Sequence, residues 1–184
     1  MLTLSEKEIS RRSLLRNTLI ATASLAVATP SISLAAQGCT RKLCLHNLHT
    51  GEKVSTTYIE NGSYIPEALS EINYVLRDFR TNEIKPIDPK LMDILYDIQT
   101  VTDSSETFQI ISGYRSPQTN AALRQQSHSV AQNSYHILGR AIDISLPGRS
   151  TSQLRDAAKF LKRGGVGYYP GQFVHVDTGD IRYW

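Results

Sequence analysis

Residues 134–145 read Ser-Tyr-His-Ile-Leu-Gly-Arg-Ala-Ile-Asp-Ile-Ser, which places His136 and Asp143 seven positions apart around a glycine. Because Gly139 permits a turn, the histidine can lie in a loop while Ala141–Leu146 continues as a β-strand. Side chains alternate between the two faces of a strand, so Asp143 points away from the two isoleucines beside it. A carboxylate in this position either faces solvent or lies in a site.

The same alternation recurs near the end of the sequence, in the predicted strand Phe173–Asp177. Its two valines share one face, and His175 and Asp177 share the other. If this strand is the antiparallel neighbour of the first one, both side chains meet Asp143 on one polar face. His136 can then reach that face from its loop.

Two histidines and one carboxylate form a ligand set that suits zinc, which binds imidazole nitrogen and carboxylate oxygen at about 2.0–2.2 Å. Three protein ligands leave one coordination position for water, as in catalytic zinc sites. The spacing alone leaves a second interpretation open, in which His136 is a surface residue and Asp143 an ordinary charge in a strand.

The rest of the sequence predicts a single α+β domain, with an antiparallel sheet, helices packed on one side and the metal site on the sheet face. Apolar residues at helical spacing and a helix start at Asp88-Pro89 predict the helices. Alternating or β-prone runs predict the strands, and a Thr50-Gly51 turn joins the first two. The predicted helices are 66–80, 89–101, 119–126 and 152–163, and the predicted strands are 42–49, 54–59, 108–112, 141–146, 166–169 and 173–177.

Composition excludes several other classes of protein. The 20 Lys and Arg residues exceed the 17 Asp and Glu residues by a formal charge of +3, which is too small to imply nucleic-acid binding without a clustered basic face. Two cysteines are too few for a disulfide framework or a cysteine-based zinc finger. No apolar run reaches the roughly 18–20 residues that a membrane-spanning helix needs.

Residues 1–36 have the features of a signal peptide, which leaves residues 37–184 as the mature domain. Arg11-Arg12 precedes a weakly apolar run, Thr18–Ala36, that ends in small residues. Paired arginines and low hydrophobicity favour the twin-arginine route, so we expect a periplasmic protein. The alternative is an ordinary amphipathic first helix, whose polar and apolar faces would alternate, and this segment lacks that alternation.

Both cysteines, Cys39 and Cys44, lie near the start of the mature chain. Lipid attachment at Cys39 is not favoured, because a lipidation site has a leucine three residues before the cysteine and Ala36 stands there. An oxidising periplasm permits a disulfide between the two cysteines, and two free thiols are the alternative.

These motifs resemble those of the LAS zinc peptidases, a group of D-alanyl-D-alanine carboxypeptidases and murein endopeptidases with hedgehog signalling domains as structural relatives. The group's signature, Ser-x-His-x-x-Gly-x-Ala-x-Asp…His, is matched by residues 134–143 followed by His175. Within the group, the sequence is most similar to murein endopeptidases that are exported by the twin-arginine route. The other shared stretches are Asn47–Glu52, Ile111–Ser116, Gly164–Pro170 and His175–Gly179.

The resemblance implies a zinc peptidase domain over residues 37–184, with His136, Asp143 and His175 as the zinc ligands. It also places Arg115 near the metal, where a guanidinium would bind a carboxylate of the peptide stem or stabilise the oxyanion. The alternative for Arg115 is a surface residue at the end of a strand.

One departure from the family pattern concerns the general base. Many relatives have a His or Glu base just before the last ligand, whereas residues 171–174 contain no titratable side chain. Asp177 is the nearest candidate, either as the base or as an acceptor that orients an imidazole. A different alignment would make Asp177 the ligand and His175 the base. His128, in the polar stretch before Tyr135, is a further candidate for the base.

The resemblance therefore implies a zinc endopeptidase that hydrolyses peptide cross-links of peptidoglycan. It favours 3-3 (diaminopimelate–diaminopimelate) links, with 4-3 (D-alanine–diaminopimelate) links as the second choice. The expected partners are the stem peptides and cross-links of peptidoglycan, without nucleic acid or a membrane span, and the expected state is a monomer. Two alternatives stay open: a non-catalytic zinc-containing domain that binds the cell wall, and a D-alanyl-D-alanine carboxypeptidase.

Replacing both arginines of the export signal, by Arg11→Lys with Arg12→Lys, is expected to trap an uncleaved precursor in the cytoplasm. The reason is that the twin-arginine export system recognises this pair of arginines. Cell fractionation and immunoblotting measure the precursor and the mature form, with Arg16→Lys as a control outside the pair. Normal accumulation of the mature double variant in the periplasm would contradict the prediction.

Overall fold

The computed structural model describes residues 39–127 and 130–184, so the predicted signal peptide lies outside the described residues. Within the described part, eight strands form one sheet, accompanied by four α-helices. The strands are β1 (Arg41–Asn47), β2 (Lys53–Glu60), β3 (Ser63–Tyr64), β4 (Phe108–Ser112), β5 (Ala141–Ser145), β6 (Gly165–Tyr169), β7 (Phe173–Asp177) and β8 (Arg182–Tyr183). The helices are α1 (Pro66–Val75), α2 (Pro89–Val101), α3 (Pro117–Gln126) and α4 (Thr151–Leu161). None of these described helices combines the length and apolar character that crossing a membrane requires.

The strands lie in the order β3-β2-β1-β4-β5-β7-β6-β8, and the predicted α+β fold is confirmed. Most neighbours are antiparallel, including the predicted β1–β2 hairpin with Thr50 and Gly51 in its connection. Two pairs, β1–β4 and β6–β8, are parallel, so the sheet is mixed rather than wholly antiparallel. Parallel neighbours need a long connection, and the segment that contains α1 and α2 supplies it for the first pair.

One face of the sheet carries the apolar core. Alternate residues of β1, β5 and β7 are buried there against α1, α2 and α4, as side-chain alternation predicts. Helix α3 adds no described residue to this core; its buried residues are Thr119 and Asn120. The Asn120 amide donates a hydrogen bond to the carbonyl of Ala131 at 3.1 Å, which ties α3 to the loop before residue 134. On their other face, β5 and β7 bury the polar residues Asp143, His175 and Asp177.

Helix α1 ends at Val75, five residues before the predicted end at Arg80. The prediction was wrong here because the backbone beyond Val75 has another partner: the carbonyl of Leu76 accepts the N–H of Tyr114 at 2.8 Å. A Cβ atom on Gly113 would lie 2.5 Å from the same carbonyl oxygen. Glycine is therefore required for this close approach of the two segments.

Other boundaries differ from the predictions by one or two residues. Helix α3 begins at Pro117, earlier than predicted, because the hydroxyl of Ser116 caps it by accepting the N–H of Thr119 at 3.1 Å. Helix α4 ends at Leu161, earlier than predicted, because Lys162 adopts a left-handed backbone conformation with a φ of 51°. The predicted strand Phe173–Asp177 is confirmed without change.

Asp78 joins the chain beyond α1 to the segment that leads into α3. Its buried carboxylate accepts the backbone N–H groups of Ser116 at 2.8 Å and of Arg80 at 2.9 Å. Burial alone would raise the pKa of Asp78, but hydrogen bonds from the Thr119 hydroxyl and from these N–H groups lower it to about 2. The ionised form of Asp78 therefore stabilises the fold.

Asp78→Asn is expected to lower the free energy of unfolding by about 1–3 kcal/mol at pH 7, because it weakens buried hydrogen bonds to a charged group. The pKa of Asp78 is lower in the folded chain than in the unfolded chain. Its contribution is thus present above about pH 4 and is lost as the pH falls through about 2. Urea unfolding at several pH values measures the difference in stability, which should narrow towards pH 2. Asp103→Asn, at an exposed aspartate, is the control. A difference that does not change with pH would contradict the prediction.

Candidate metal centre

His136, Asp143 and His175 come together from separate elements on the polar face of the sheet. His136 lies in a single turn of 3₁₀ helix, Tyr135–Leu138. Gly139 ends this turn with a φ of 66°, in the left-handed region that glycine adopts without strain. Asp143 in β5 and His175 in β7 are directly opposite each other in the antiparallel register. The three residues that the sequence predicts as ligands are therefore neighbours in space.

One atom of each side chain converges on a common point. Nε2 of His136 lies 3.2 Å from Nδ1 of His175 and 3.2 Å from Oδ1 of Asp143. The latter two atoms are 2.8 Å apart. Tetrahedral zinc with ligands at about 2.0–2.2 Å would separate those ligands from one another by roughly 3.3–3.6 Å. The observed triangle is only slightly smaller, so the group could hold a zinc ion after a small adjustment.

The second ring nitrogen of His136 is held by the backbone. Nδ1 lies 2.7 Å from the carbonyl oxygen of Gly113. Because a carbonyl can only accept, Nδ1 carries the proton and Nε2 presents its lone pair to the other two side chains. Burial lowers the pKa of His136, which favours the neutral imidazole that binds metals.

Asp143 is held from its other side by Arg115. Nη2 of Arg115 donates to Oδ2 of Asp143 at 2.7 Å, and Nε of Arg115 donates to the hydroxyl of Ser112 at 2.8 Å. Burial would raise the pKa of Asp143, but contacts with His136 and His175 hold it well below its usual range. Arg115 thus lies beside the candidate ligands, and its Nη1 makes no hydrogen bond to a described residue.

His175 lies between two carboxylates. Its Nδ1 faces Asp143, and its Nε2 is 3.1 Å from Oδ2 of Asp177. Burial lowers the pKa of His175, but the hydrogen bonds to Asp143 and Asp177 outweigh burial and raise it. Because an ionised carboxylate only accepts, both ring nitrogens donate, Nε2 to Asp177 and Nδ1 to Asp143. Nδ1 is the nitrogen that could exchange its proton for a metal, because it lies 3.2 Å from Nε2 of His136, among the other candidate ligand atoms.

Asp177 lies behind His175, on the side of the imidazole away from the other candidate ligands. It is completely buried, and its two oxygens accept hydrogen bonds from Arg182 at 2.6 and 3.1 Å. The backbone N–H groups of Gly165 and Gly179 donate to it at 3.2 and 2.8 Å. Burial would raise the pKa of Asp177, but His175 and these donors hold it well below its usual range. Of the three roles that the sequence leaves open for Asp177, this geometry favours the orientation of an imidazole.

The candidate ligands line a cavity of about 440 Å³. Its wall is partly aromatic: the rings of Tyr169 and Phe173 stack with their centroids 4.3 Å apart, and Tyr135 lines the cavity as well. Two arginines add positive charge, since Arg182 joins Arg115 in the lining. The cavity therefore offers ring surfaces and hydrogen-bond donors next to the candidate metal site.

The sequence interpretation missed Arg182 and Trp184 as cavity residues. Both are delivered by β8 and the residue that follows it, a segment too short to be recognised as a strand from its pattern. One signal could have found them. Gly165 and Gly167 alternate in β6, and strand positions without side chains often allow close approach of a neighbouring group.

Other residues named from the sequence lie elsewhere. His46 belongs to β1, and the ring of His49 stacks on that of Phe79 at 4.1 Å; neither histidine lines the cavity. Cys39 and Cys44 are free thiols in the structure, so the disulfide alternative is not observed. The candidate base His128 lies outside the described residues.

Comparison with known proteins identifies the family. Residues 34–184 match the family model described as peptidoglycan L,D-endopeptidase MepK. The chain is 42% identical over 178 residues to the peptidoglycan L,D-endopeptidase MepK of Escherichia coli (strain K12), covering 96% of this chain and 98% of that protein. The probable peptidoglycan L,D-endopeptidase MepK of Haemophilus influenzae is 42% identical over 146 residues, which is 78% of each chain. No solved structure gives a significant match.

The resemblance stated from the sequence motifs is thereby confirmed over nearly the whole chain. The matched region contains every residue of the candidate metal centre and of the cavity around it. The chain belongs to the MepK family of peptidoglycan L,D-endopeptidases, a family of hydrolases.

Proposed function

We propose that this protein is a periplasmic zinc endopeptidase that hydrolyses peptide cross-links of peptidoglycan during cell-wall remodelling. One observation carries the proposal: Nε2 of His136, Oδ1 of Asp143 and Nδ1 of His175 lie within 3.2 Å of one another at a cavity. The names of the relatives, which are peptidoglycan L,D-endopeptidases, support the activity and the substrate class.

His136, Asp143 and His175 would hold zinc through these three atoms, a donor set that fits the preferences of that metal. When bound, zinc would supply a Lewis acid that polarises the scissile carbonyl and lowers the pKa of water to about 7. The side chains around this position are already arranged to bind the ion. Hydrogen bonds to the Gly113 carbonyl and to Asp177 direct Nε2 of His136 and Nδ1 of His175 at the metal position, and contacts with both histidines keep the Asp143 carboxylate ionised.

Arg115 would have two tasks. Through Nη2 it holds Oδ2 of Asp143, so that Oδ1 stays directed at the two histidines. Nη1, which bonds to no described residue, would donate to the carbonyl oxygen of the substrate as negative charge develops there. A preorganised donor of this kind contributes about 10²–10³-fold to the rate of an acyl-transfer reaction.

The preferred bond is the 3-3 cross-link. An L,D-endopeptidase cleaves an amide between the carbonyl of an L-centre and the amine of a D-centre, and this description fits a diaminopimelate–diaminopimelate link. The names of the relatives therefore favour 3-3 links over 4-3 links, which join two D-centres.

Asp177 would orient His175 rather than accept the proton of the attacking water. Its oxygens face Nε2 of His175, Arg182 and two backbone N–H groups, and the residue is completely buried. Among the candidates that the sequence offers, the proton acceptor would then be His128.

Purified, zinc-loaded mature protein is expected to convert 3-3 cross-linked muropeptide dimers into monomers, which mass spectrometry detects. His136→Ala should lose most of both the bound zinc and the hydrolysis, because it removes one of three ligands at a site that needs all three. His46→Ala, on β1 outside the cavity lining, is the matched control and should behave like the wild type.

Three outcomes would each contradict a separate part of this proposal. Full zinc content in His136→Ala would show that the ligand assignment is wrong. Release of terminal D-alanine without cleavage of dimers would indicate a carboxypeptidase. Zinc binding without any hydrolysis would favour a non-catalytic wall-binding domain.

Asp177→Asn is expected to lower the rate at least about tenfold and to weaken zinc binding by about 10–100-fold, while one zinc still binds at saturation. The substitution keeps the shape of the side chain but removes the charge that holds His175. Zinc titration and steady-state kinetics measure the two effects, with Asp180→Asn, at an exposed aspartate nearby, as the control. Binding of less than one zinc ion per chain at saturation would instead indicate that Asp177 is a ligand. An unchanged rate and unchanged affinity would leave it without a role at the site.

A further inference from the structure

The short strand β8 delivers two side chains to the wall of the cavity. It pairs in parallel with β6, with Arg182 next to Gly165, and Trp184 continues the pairing through hydrogen bonds with Val166 and Tyr168. Side chains two residues apart lie on the same face of a strand. Arg182 and Trp184 therefore both project over the polar face that carries the candidate ligands, and both line the cavity.

The glycines of β6 make room for these side chains. A Cβ atom on Gly165 would lie 2.5 Å from Oδ2 of Asp177 and 2.6 Å from Nη1 of Arg182. A Cβ atom on Gly167 would lie 2.7–2.8 Å from atoms of the Trp184 ring. Real Cβ atoms essentially never approach other atoms so closely, so the positions of Arg182 and Trp184 require glycine below them.

Arg182 is fixed by charge and by aromatic rings. It binds both oxygens of Asp177, at 2.6 and 3.1 Å, in the bidentate arrangement that is strongest for a guanidinium and a carboxylate. Its guanidinium also lies 4.9 Å from the ring centroid of Tyr135 and 5.0 Å from that of Trp184, within the range of cation–π attraction. The carboxylate that accepts the Nε2–H of His175 is thus itself held in a single orientation.

Trp184 acts on the same imidazole from another direction. The centroid of its ring lies 5.3 Å from that of His175, with the two planes inclined at 50°. His175 is therefore contacted at its Nε2 edge by Asp177 and at its ring by Trp184. The β6–β8 pairing supplies Trp184 directly and supplies Arg182, which holds Asp177 in place.

We propose that β8 is a positioning element for the metal centre: Arg182, acting through Asp177, and Trp184 together fix the imidazole of His175 with Nδ1 directed at the metal position. This inference rests on the proposed zinc site. Arg182 and Trp184 are positioning residues in this assignment, and their main effect is on metal affinity rather than on substrate binding. Contacts to the partners of metal ligands commonly change metal affinity or activity by about 10–100-fold.

The test uses variants that circular dichroism shows to be folded. For each variant, zinc affinity is measured by competition with a chromophoric chelator, and the absorption spectrum of the cobalt-substituted protein is recorded. Arg182→Met is expected to weaken zinc binding by about 10–100-fold and to change the cobalt spectrum. Arg182→Lys should recover part of the affinity, since it restores the charge without the two-point contact. Arg155→Met is the matched control, because Arg155 also pairs with an aspartate and also stacks on a ring, 4.4 Å from the centroid of Tyr168, but lies outside the cavity lining.

Gly167→Ala provides an independent test, because it displaces the Trp184 ring while leaving Arg182, Asp177 and His175 in the sequence. It should also weaken zinc binding and change the cobalt spectrum. Wild-type zinc affinity and a wild-type spectrum in either folded variant would overturn the inference. A raised KM with unchanged zinc affinity would also overturn it, because β8 would then contact substrate instead.

The failure of the inference can be distinguished from the failure of the proposed function. If the wild type binds zinc and cleaves muropeptide dimers while Arg182→Met keeps its zinc affinity, only the inference about β8 is wrong. If Arg182→Met loses zinc affinity but the wild type cleaves no dimers, β8 positions the metal centre and the proposed reaction is wrong.

Discussion

The structure of the site depends on one buried charge, the carboxylate of Asp143 at the centre of the sheet. A buried carboxylate without partners would cost several kcal/mol, so the groups around it are required for stability as well as for metal binding. The imidazoles of His136 and His175 face one of its oxygens, and Arg115 binds the other. Each of these partners makes a further hydrogen bond: His136 to the carbonyl of Gly113, Arg115 to the hydroxyl of Ser112 and His175 to the carboxylate of Asp177. The site is therefore stiff because the fold must satisfy this charge.

A second buried carboxylate repeats the arrangement around His175. Asp177 pairs with Arg182 as Asp143 pairs with Arg115, and the imidazole lies between the two carboxylates. Since both carboxylates are fixed by guanidinium groups, the ring cannot rotate without breaking two hydrogen bonds. The order of the charged and polar groups along this line is Arg115, Asp143, His175, Asp177 and Arg182. This line is symmetric about the imidazole, so it is His136, with its Nε2 3.2 Å from Nδ1, that makes Nδ1 the nitrogen of His175 offered to a metal, a choice that the sequence cannot specify by itself.

A feature of the fold or of the site could be predicted from the sequence only where the pattern that indicates it is local. Alternation within one strand is a local pattern, and it placed Asp143 and His175 on a common polar face, which the β5–β7 register then joined. The end of α1 was misjudged because the contact that stops the helix, between Leu76 and Tyr114, joins residues 38 positions apart and leaves no mark on the local apolar spacing. The role of Asp177 stayed open because spacing gives the face of a side chain but not the atom that it meets. Arg182 was missed because β8 has only two residues, too few to show a period.

The charges of the site also bear on how a wall peptidase would find its substrate. The two buried carboxylates and the two arginines cancel formally, so zinc bound as proposed would leave the centre with a net charge of about +2 in a partly apolar cavity. The full chain carries a formal charge of only +3, distributed over 184 residues. Attraction for stem peptides, which are rich in carboxylates, would therefore be concentrated at the reacting centre rather than spread over the surface. In this view the arginines have a double effect: by neutralising the carboxylates that the fold buries, they leave the charge of the metal available to the substrate.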